Sequence, residues 1–399
     1  MRKIRLNAII ALYGGLLALP VAAQNAPRVE RKDNADLRIV HSFQEAMPVG
    51  IAVSRTGRMF VSYPRWEDPL TFTLAELKDG KETPFPEGGT YQQGNRFDPQ
   101  TNLVSLQGLR MDSRDRLWVL DTSTVNMQPV QPFSPKIVCY NLQTGREELK
   151  FRIPGDVAPE GTYLNDLRID LTRGTKGMIY ITDSGQRPGI LVFDIGAQKA
   201  WRRLADHPSV KPEEKFMGFP EGRALFRMPT PERREHLKIG SDGIALSPDG
   251  KTLYYTPLAS RRLFSVSCDA LVDPAKPEEE VAATVRDLGE KGVADGLEED
   301  TQGNVYITNW EQNAIIRRRP NGMFETVVHD ERLLWPDTLA LTEDGYLYIL
   351  SNQLHRQPGY NAGKDLRKKP YILGRVKTDT RPVALGPGNT AQPVARRDR

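Results

Sequence analysis

The chain is 399 residues long, 39% hydrophobic and 27% charged, with a formal net charge of +4. That composition excludes a disordered polar chain, and so small a charge excludes the dense basic face that nucleic acid requires. Length alone suggests two or three domains, except in propellers and barrels, which grow by adding strands to one closed ring.

The N-terminus reads as a targeting segment. Arg2, Lys3 and Arg5 make a basic start, and residues 8–19 are apolar but too short to span a bilayer comfortably. Val21, Ala22 and Ala23 then supply the small-residue pattern of a signal-peptidase site. A signal peptide over 1–23, cleaved after Ala23, makes the mature protein secreted or periplasmic. Its loss removes three cations and no anions, taking the formal charge from +4 to +1. No later segment is long and apolar enough to cross a membrane, so the mature chain is expected to have no membrane span and to be a monomer.

Downstream, one pattern recurs six times: a small or polar pair, a short apolar strand, a turn with Asp or Gly, and a second strand rich in aromatic and β-branched residues. The copies begin at Val49, Gln107, Asn165, Asp242, Asp295 and Asp337, about 42 to 77 residues apart. Gly250, Gly303 and Gly345 sit in the hairpin turns, where glycine supplies a positive φ. Each copy reads as the inner two strands of a four-stranded blade, with outer strands following at 136–141, 189–194 and 314–318. The fold class is therefore all-β, a six-bladed β-propeller over residues 24–380 with a flexible tail over 381–399. A β-sandwich leaves six homologous units unexplained. The ring closes by pairing 37–43 with 371–377. The one weak helical pattern, at 230–238, falls in the longest inter-repeat insertion. Cys139 and Cys268 lie in strand-like runs of different blades, too far apart to pair, and read as buried free thiols.

At this point the residues resemble a known family. Gly108-Leu-Arg-Met-Asp-Ser-Arg-Asp-Arg-Leu-Trp-Val-Leu-Asp121 is similar to the signature strand pair of the major royal jelly and yellow proteins. So are Ile179-Tyr-Ile-Thr-Asp-Ser-Gly185, Gly189-Ile-Leu-Val-Phe-Asp194 and Ala200-Trp-Arg-Arg203. Further matches are Asp242-Gly-Ile-Ala-Leu-Ser247 and Leu347-Tyr-Ile-Leu-Ser-Asn352 ahead of Leu354-His-Arg356. The similarity runs from about Arg38 to Lys377, and the short signal and scarce cysteines look like a bacterial member. The resemblance implies a secreted propeller with a small-molecule site at its channel. It implies no single reaction, because the family includes nutritive proteins, pigment-pathway proteins credited with dopachrome conversion, and binders of biogenic amines.

The repeat alignment carries a second inference. Residues opening equivalent inner strands lie on a ring around one end of the channel, so Gln107, Asn165, Asp242, Asp295 and Asp337 converge there, with Val49 the apolar exception and Asp166 adjacent. These are the candidate ligand-binding residues. Converging carboxylates repel, raising their pKa values unless a cation joins them, and calcium is the hard cation that suits oxygen ligands. Asp242-Gly243 and residues 294–303 also resemble the metal-bearing turns of gluconolactonase and regucalcin propellers. That resemblance implies metal ligands at Asn165 or Asp242 in the amide's place and at Asp295 for the carboxylate, although no Glu stands at Val49 where the pattern asks for one. The alternative is that each Asp caps a turn.

Other chemistry is thin: G-x-S-x-G, H-E-x-x-H, P-loop and Rossmann fingerprints are missing, and the five histidines show no ligand spacing. Arg168, Asp170 and Asp183 read as possible inner-strand charge pairs. Trp310 and Trp335 are open to two readings, an aromatic platform for a ligand or packing between blades. Three functions stay open: a binder of a small polar or aromatic molecule, a calcium-dependent lactone hydrolase, and a dopachrome-type tautomerase. The catalytic candidates are Asp242, Asp295 and Asp337.

Overall fold

In a computed structural model describing residues 27–30, 37–87, 98–99, 101–126, 128–130 and 134–387, six four-stranded antiparallel sheets are arranged as a six-bladed β-propeller. The expected signal peptide, residues 1–23, and residues 388–399 of the expected tail lie outside the described residues. Blade 1 opens with strands Gly50–Val53 and Met59–Ser62, blade 2 with Leu106–Met111 and Arg116–Asp121, and blade 3 with Leu164–Asp170 and Met178–Asp183. Blade 4 opens with Ser241–Leu246 and Thr252–Pro257, blade 5 with Leu297–Glu299 and Val305–Asn309, and blade 6 with Pro336–Leu341 and Tyr346–Ser351. The third strands of blades 2, 3 and 5 are Lys136–Asn141, Gly189–Asp194 and Ala314–Arg318, as expected.

Each innermost strand touches the next, and the last touches the first, so the six surround one axis. The N-terminal strand Arg38–Phe43 closes the ring as the outer strand of blade 6, with Phe43 opposite Tyr371 and Ser42 opposite Ile372. The first described strand is thus paired with the last, which ties the two ends of the described fold into one blade.

Apolar residues alternate onto both faces of each sheet and interlock between blades. Trp118, Ile137, Ile179, Ile181, Leu191 and Phe193 are fully buried in one such seam between blades 2 and 3. Truncating one of these to Ala costs about 2–5 kcal/mol. Cys139 and Cys268 are buried and unpaired, as the sequence indicates.

Two segments finish the ends. The insertion between blades 3 and 4 lies over the channel mouth. Its 230–238 stretch is not helical: Arg227–Thr230 and Arg233–Glu235 pair as a β-hairpin. The correction follows from composition, since Pro229 and Pro231 deny a helix its backbone donors and the run is too short to bury a helical face. At the opposite face the chain stays packed beyond residue 380. Arg381 accepts from the Thr301 amide (2.9 Å), Pro382 bridges Asp300, Leu385 accepts from the Leu171 amide (3.0 Å), and Pro387 accepts from Ser113 (3.1 Å). This strap runs across the narrow end from blade 5 to blades 3 and 2.

Candidate functional site

Four of the five polar ring residues sit where the inner strands break register, and the fifth, Asp295, precedes the Leu297–Glu299 strand, whose ladder is unshifted. The ladders of blades 2, 3, 4 and 6 shift between Leu106 and Leu109, Leu164 and Leu167, Ser241 and Ile244, and Pro336 and Leu339. The residues inside those irregularities include Gln107, Asn165, Asp242 and Asp337. A bulge re-aims its side chains, which is how polar groups leave a buried ladder and face the axis. Blade 1 has no such shift, and its ring position is Val49.

The Asp-Gly pairs at Asp242 and Asp295 are not turns, contrary to the turn-like reading of the sequence. Gly243 lies inside a strand, and glycine is needed for room. A Cβ on Gly243 would fall 2.3 Å from the Asp295 carbonyl oxygen, and one on Gly296 would fall 2.4 Å from that of Asp337. Gly50 and Gly108 meet the carbonyls of Gln107 and Asn165 in the same way. Each glycine admits the ring residue of the following blade. Hydroxyls stitch the same contacts: Ser62 donates to the Gln107 carbonyl (2.6 Å), Thr182 to that of Asp242 (2.5 Å) and Thr338 to that of Val49 (2.5 Å).

The result is a cavity of about 460 Å³ whose walls include Gln107, Asn165, Asp242, Asp295 and Asp337 together. Such a volume suits a small ligand. The Asn165 amide donates to Asp242, the Trp335 indole N–H to Asp295 (2.7 Å), and the Asn352 amide and Thr338 hydroxyl to Asp337 (3.0 Å for the latter). Asp242 and Asp295 are also hydrogen-bonded to each other. Burial pushes Asp295 up to about 7, against the lowering effect of its Trp335 and Asp242 bonds. Burial first and the neighbouring Asp295 second push Asp242 and Asp337 well above the carboxylate range. No Arg or Lys pairs with any of the three in an ion pair among the described residues.

Asp166 does not line the cavity. It faces a second polar layer deeper in the channel, where burial raises it to about 6 and the Arg168 and Arg110 charges oppose the rise. In that layer Arg110 bonds Glu298 (2.5 Å) and Glu299 (2.6 Å), while Arg168 bonds Glu299 (2.8 Å) and the Leu297 carbonyl (2.6 Å). Below it, a space of about 60 Å³ remains between the inner strands and Pro382, Val383 and Ala384 of the strap. The channel is therefore wide at the ring and closed by ion pairs and backbone beneath.

The remaining candidates are structural. Asp183 accepts from the Tyr163 and Gly185 amides and pairs with Arg202 (2.7 Å), and Asp170 caps Thr172 and pairs with Arg173 (3.1 Å). Trp310 and Trp335 stack on each other at 4.3 Å, both buried, and Trp335 stacks on His355, so they are packing residues rather than a free platform.

Calcium takes about six to eight oxygen ligands. Asn165, Asp242 and Asp295 offer three side chains whose facing atoms are bonded to one another or to Trp335. Among the described residues no group of three or more His, Cys, Asp or Glu stands at metal-holding spacing. The ring fits a hydrogen-bonded acid cluster better than a preformed cation cage.

Sequence reasoning missed Tyr163, Thr124, Trp66 and Gln357 in the cavity wall, which come from loops outside the repeat. It also missed the deeper layer, although the signal was there. Three residues after each ring position stand Ala52, Arg110, Arg168, Ala245, Glu298 and Ala340, so the same alignment places two cations and an anion at one level.

A sequence profile described as "Major royal jelly protein" matches residues 104–385. The chain is 25% identical over 348 residues to "Protein yellow" of Drosophila melanogaster, covering 82% of this chain and 62% of that protein. It is 25% identical over 331 residues to "Protein yellow" of Drosophila erecta, covering 78% and 59%. The chain thus spans about three-fifths of the length of these relatives. Among solved structures, a luciferin-regenerating enzyme superposes with a TM-score of 0.51 at 11% identity, covering 88% of this chain and 99% of that one. A gluconolactonase from Xanthomonas campestris superposes with a TM-score of 0.50 at 12% identity, covering 88% and 98%. At such identities these likenesses bear on the fold alone.

Proposed function

The chain belongs to the major royal jelly protein family, and from that premise we propose that it is an exported propeller that binds a small polar or aromatic molecule in the cavity at the ring. The observation that supports this most is the convergence of Gln107, Asn165, Asp242, Asp295 and Asp337 on one cavity of ligand size. Fixing five polar side chains around one buried axis costs stability unless the ring is used, because each buried polar group must find a partner.

A thermal-shift screen of amines, catechols, polyols and lactones tests the reading. A saturable rise in Tm with one class, lost in Asp242→Asn and Asp295→Asn, supports binding; a flat response to every class defeats it. Metal analysis of the purified protein, with calcium titration of wild type and Asp295→Ala, separates the lactone hydrolase. Stoichiometric calcium lost in the variant, with chelator-reversible lactone turnover, would replace binding by metal-assisted hydrolysis. The export proposal rests on residues 1–23 and predicts that the mature protein begins at Gln24, as N-terminal sequencing will read.

One observation favours a second reading. Asp295, pushed up to about 7 by burial, is hydrogen-bonded to Asp242, whose carboxyl burial also raises well above the usual range, so the pair can share one proton. A carboxylate beside a carboxylic acid at neutral pH can take a proton from carbon while its neighbour gives one to oxygen, the exchange a tautomerase needs. Chelator-insensitive turnover of dopachrome that disappears in Asp295→Asn is the expected sign, and turnover unchanged in that variant would discard it.

A further inference from the structure

The chemistry of the cavity wall narrows the class of ligand. On the side of blades 2 and 3, the Tyr163 hydroxyl accepts from the Trp66 indole N–H (2.8 Å) and from the Gln107 amide. Both of those groups are donors, so the hydroxyl's acceptor positions are filled and its own proton goes to the neighbouring Thr124 hydroxyl. Beside it, Thr124 is only 3% exposed and lines the cavity; its oxygen takes the Tyr163 proton, and its own proton has no acceptor among the described residues. A buried hydroxyl proton without an acceptor costs stability, and in a cavity wall it points to a ligand group that accepts it.

The charge pattern argues in the same direction. The charged residues of the rim are Glu67, Glu235, Arg227 and Lys238, two of each sign. The three carboxyls of the floor are tied to neutral N–H and O–H groups rather than to cations. Burial then favours their uncharged form. A carboxylic acid, a primary amide and a hydroxyl each present a donor beside an acceptor. That pairing is complementary to an alcohol group, which also gives one hydrogen bond and takes others. An ammonium group offers donors only, and would leave the Thr124 proton without an acceptor.

Resting on the proposed binding role of this cavity, we infer that its ligand is a neutral polyhydroxylated molecule, a sugar or cyclic polyol. Its hydroxyls span Asp242 and Asp295 on one side and Gln107, Thr124 and Tyr163 on the other. The rings of Trp66 and Tyr360, also in the wall, give apolar surface for its C–H faces.

Saturation-transfer NMR on the mature protein at neutral pH tests this with glucose and myo-inositol as neutral probes and tyramine as the cationic one. The expected result is saturable signal from a neutral probe, weakened about tenfold in Thr124→Val or Gln107→Leu while melting temperature and circular dichroism are retained. Thr124→Val is nearly isosteric, so it carries the test if the Gln107 variant does not fold. Signal from tyramine alone overturns the polyol class and leaves the binding role standing. Neutral-probe signal unchanged in both folded variants places it elsewhere and overturns the inference. Silence from all three probes overturns the polyol class, and a flat thermal-shift screen beside it removes the binding role as well.

Discussion

The two polar layers of the channel use the same residue types in opposite ways. In the upper ring, Asp242, Asp295 and Asp337 bond to neutral donors and line open space. In the lower layer, Glu298 and Glu299 meet Arg110 and Arg168 directly, and all four are largely or fully buried. Burial raises Glu299 too, but the charges of Arg110 and Arg168 oppose the rise and hold the carboxylate in place, whereas no cation opposes burial at Asp242, Asp295 or Asp337. Three residues along each inner strand separate a layer that can change its protonation or bind from one that holds the blades together. A site of the first kind gains by resting on a fixed layer of the second.

The largest effect is expected from breaking the lower layer. Glu299→Leu leaves Arg110 and Arg168 each short of a partner at 2.6 and 2.8 Å. An uncompensated buried charge costs about 3–5 kcal/mol, which urea denaturation will read as a lowered midpoint. Adding Arg168→Met should recover part of that loss, because the pair itself repays little more than its desolvation. A double variant no more stable than Glu299→Leu would show that the layer acts through shape rather than charge. Deleting residues 382–399 is expected to cost less. It removes the Leu171 and Ser113 contacts to the strap and the packing of Leu385 against blade 4. Two lost hydrogen bonds amount to about 2 kcal/mol. Hydrogen exchange should quicken at the Leu171 amide but not at the Gln107 or Asp242 amides of the ring.

The contrast between layers also explains what was legible in the sequence. The blades, their inner strands and the closure of 38–43 on 371–377 were readable because the pattern repeats with period two inside units that themselves repeat. The upper ring was readable for the same reason, since Gln107, Asn165, Asp242, Asp295 and Asp337 share one repeat position. The role of Gly243 and Gly296 was not, because close approach between blades leaves the same Asp-Gly signature as a turn. Tyr163, Thr124 and Gln357 were hidden for a different reason. They come from connections that differ between blades, so no alignment of repeats brings them together. The hairpin at 227–235 was misread because a short run with alternating charge fits either period.

The smallest change at neutral pH is expected in the upper ring itself, and its sign depends on pH. Asp295 titrates near 3.8 when unfolded and near 7 when folded, with burial as the main cause. The folded protein therefore binds the extra proton between those values, and stability falls as pH rises through that window before levelling above about 7. Asp242 and Asp337, raised for the same first cause, act in the same direction. Asp295→Asn keeps an oxygen for the Trp335 N–H and has nothing to ionise. Below about pH 5 the variant should match wild type within about 1 kcal/mol, the value of one hydrogen bond to its surroundings. Near pH 8 it should be the more stable of the two, because wild type must by then bury a charge that the amide never carries. Urea midpoints from pH 4 to 9 decide it. Parallel curves for variant and wild type would mean that Asp295 is ionised throughout, which would place a cation beside it and make the upper ring a layer of the lower kind.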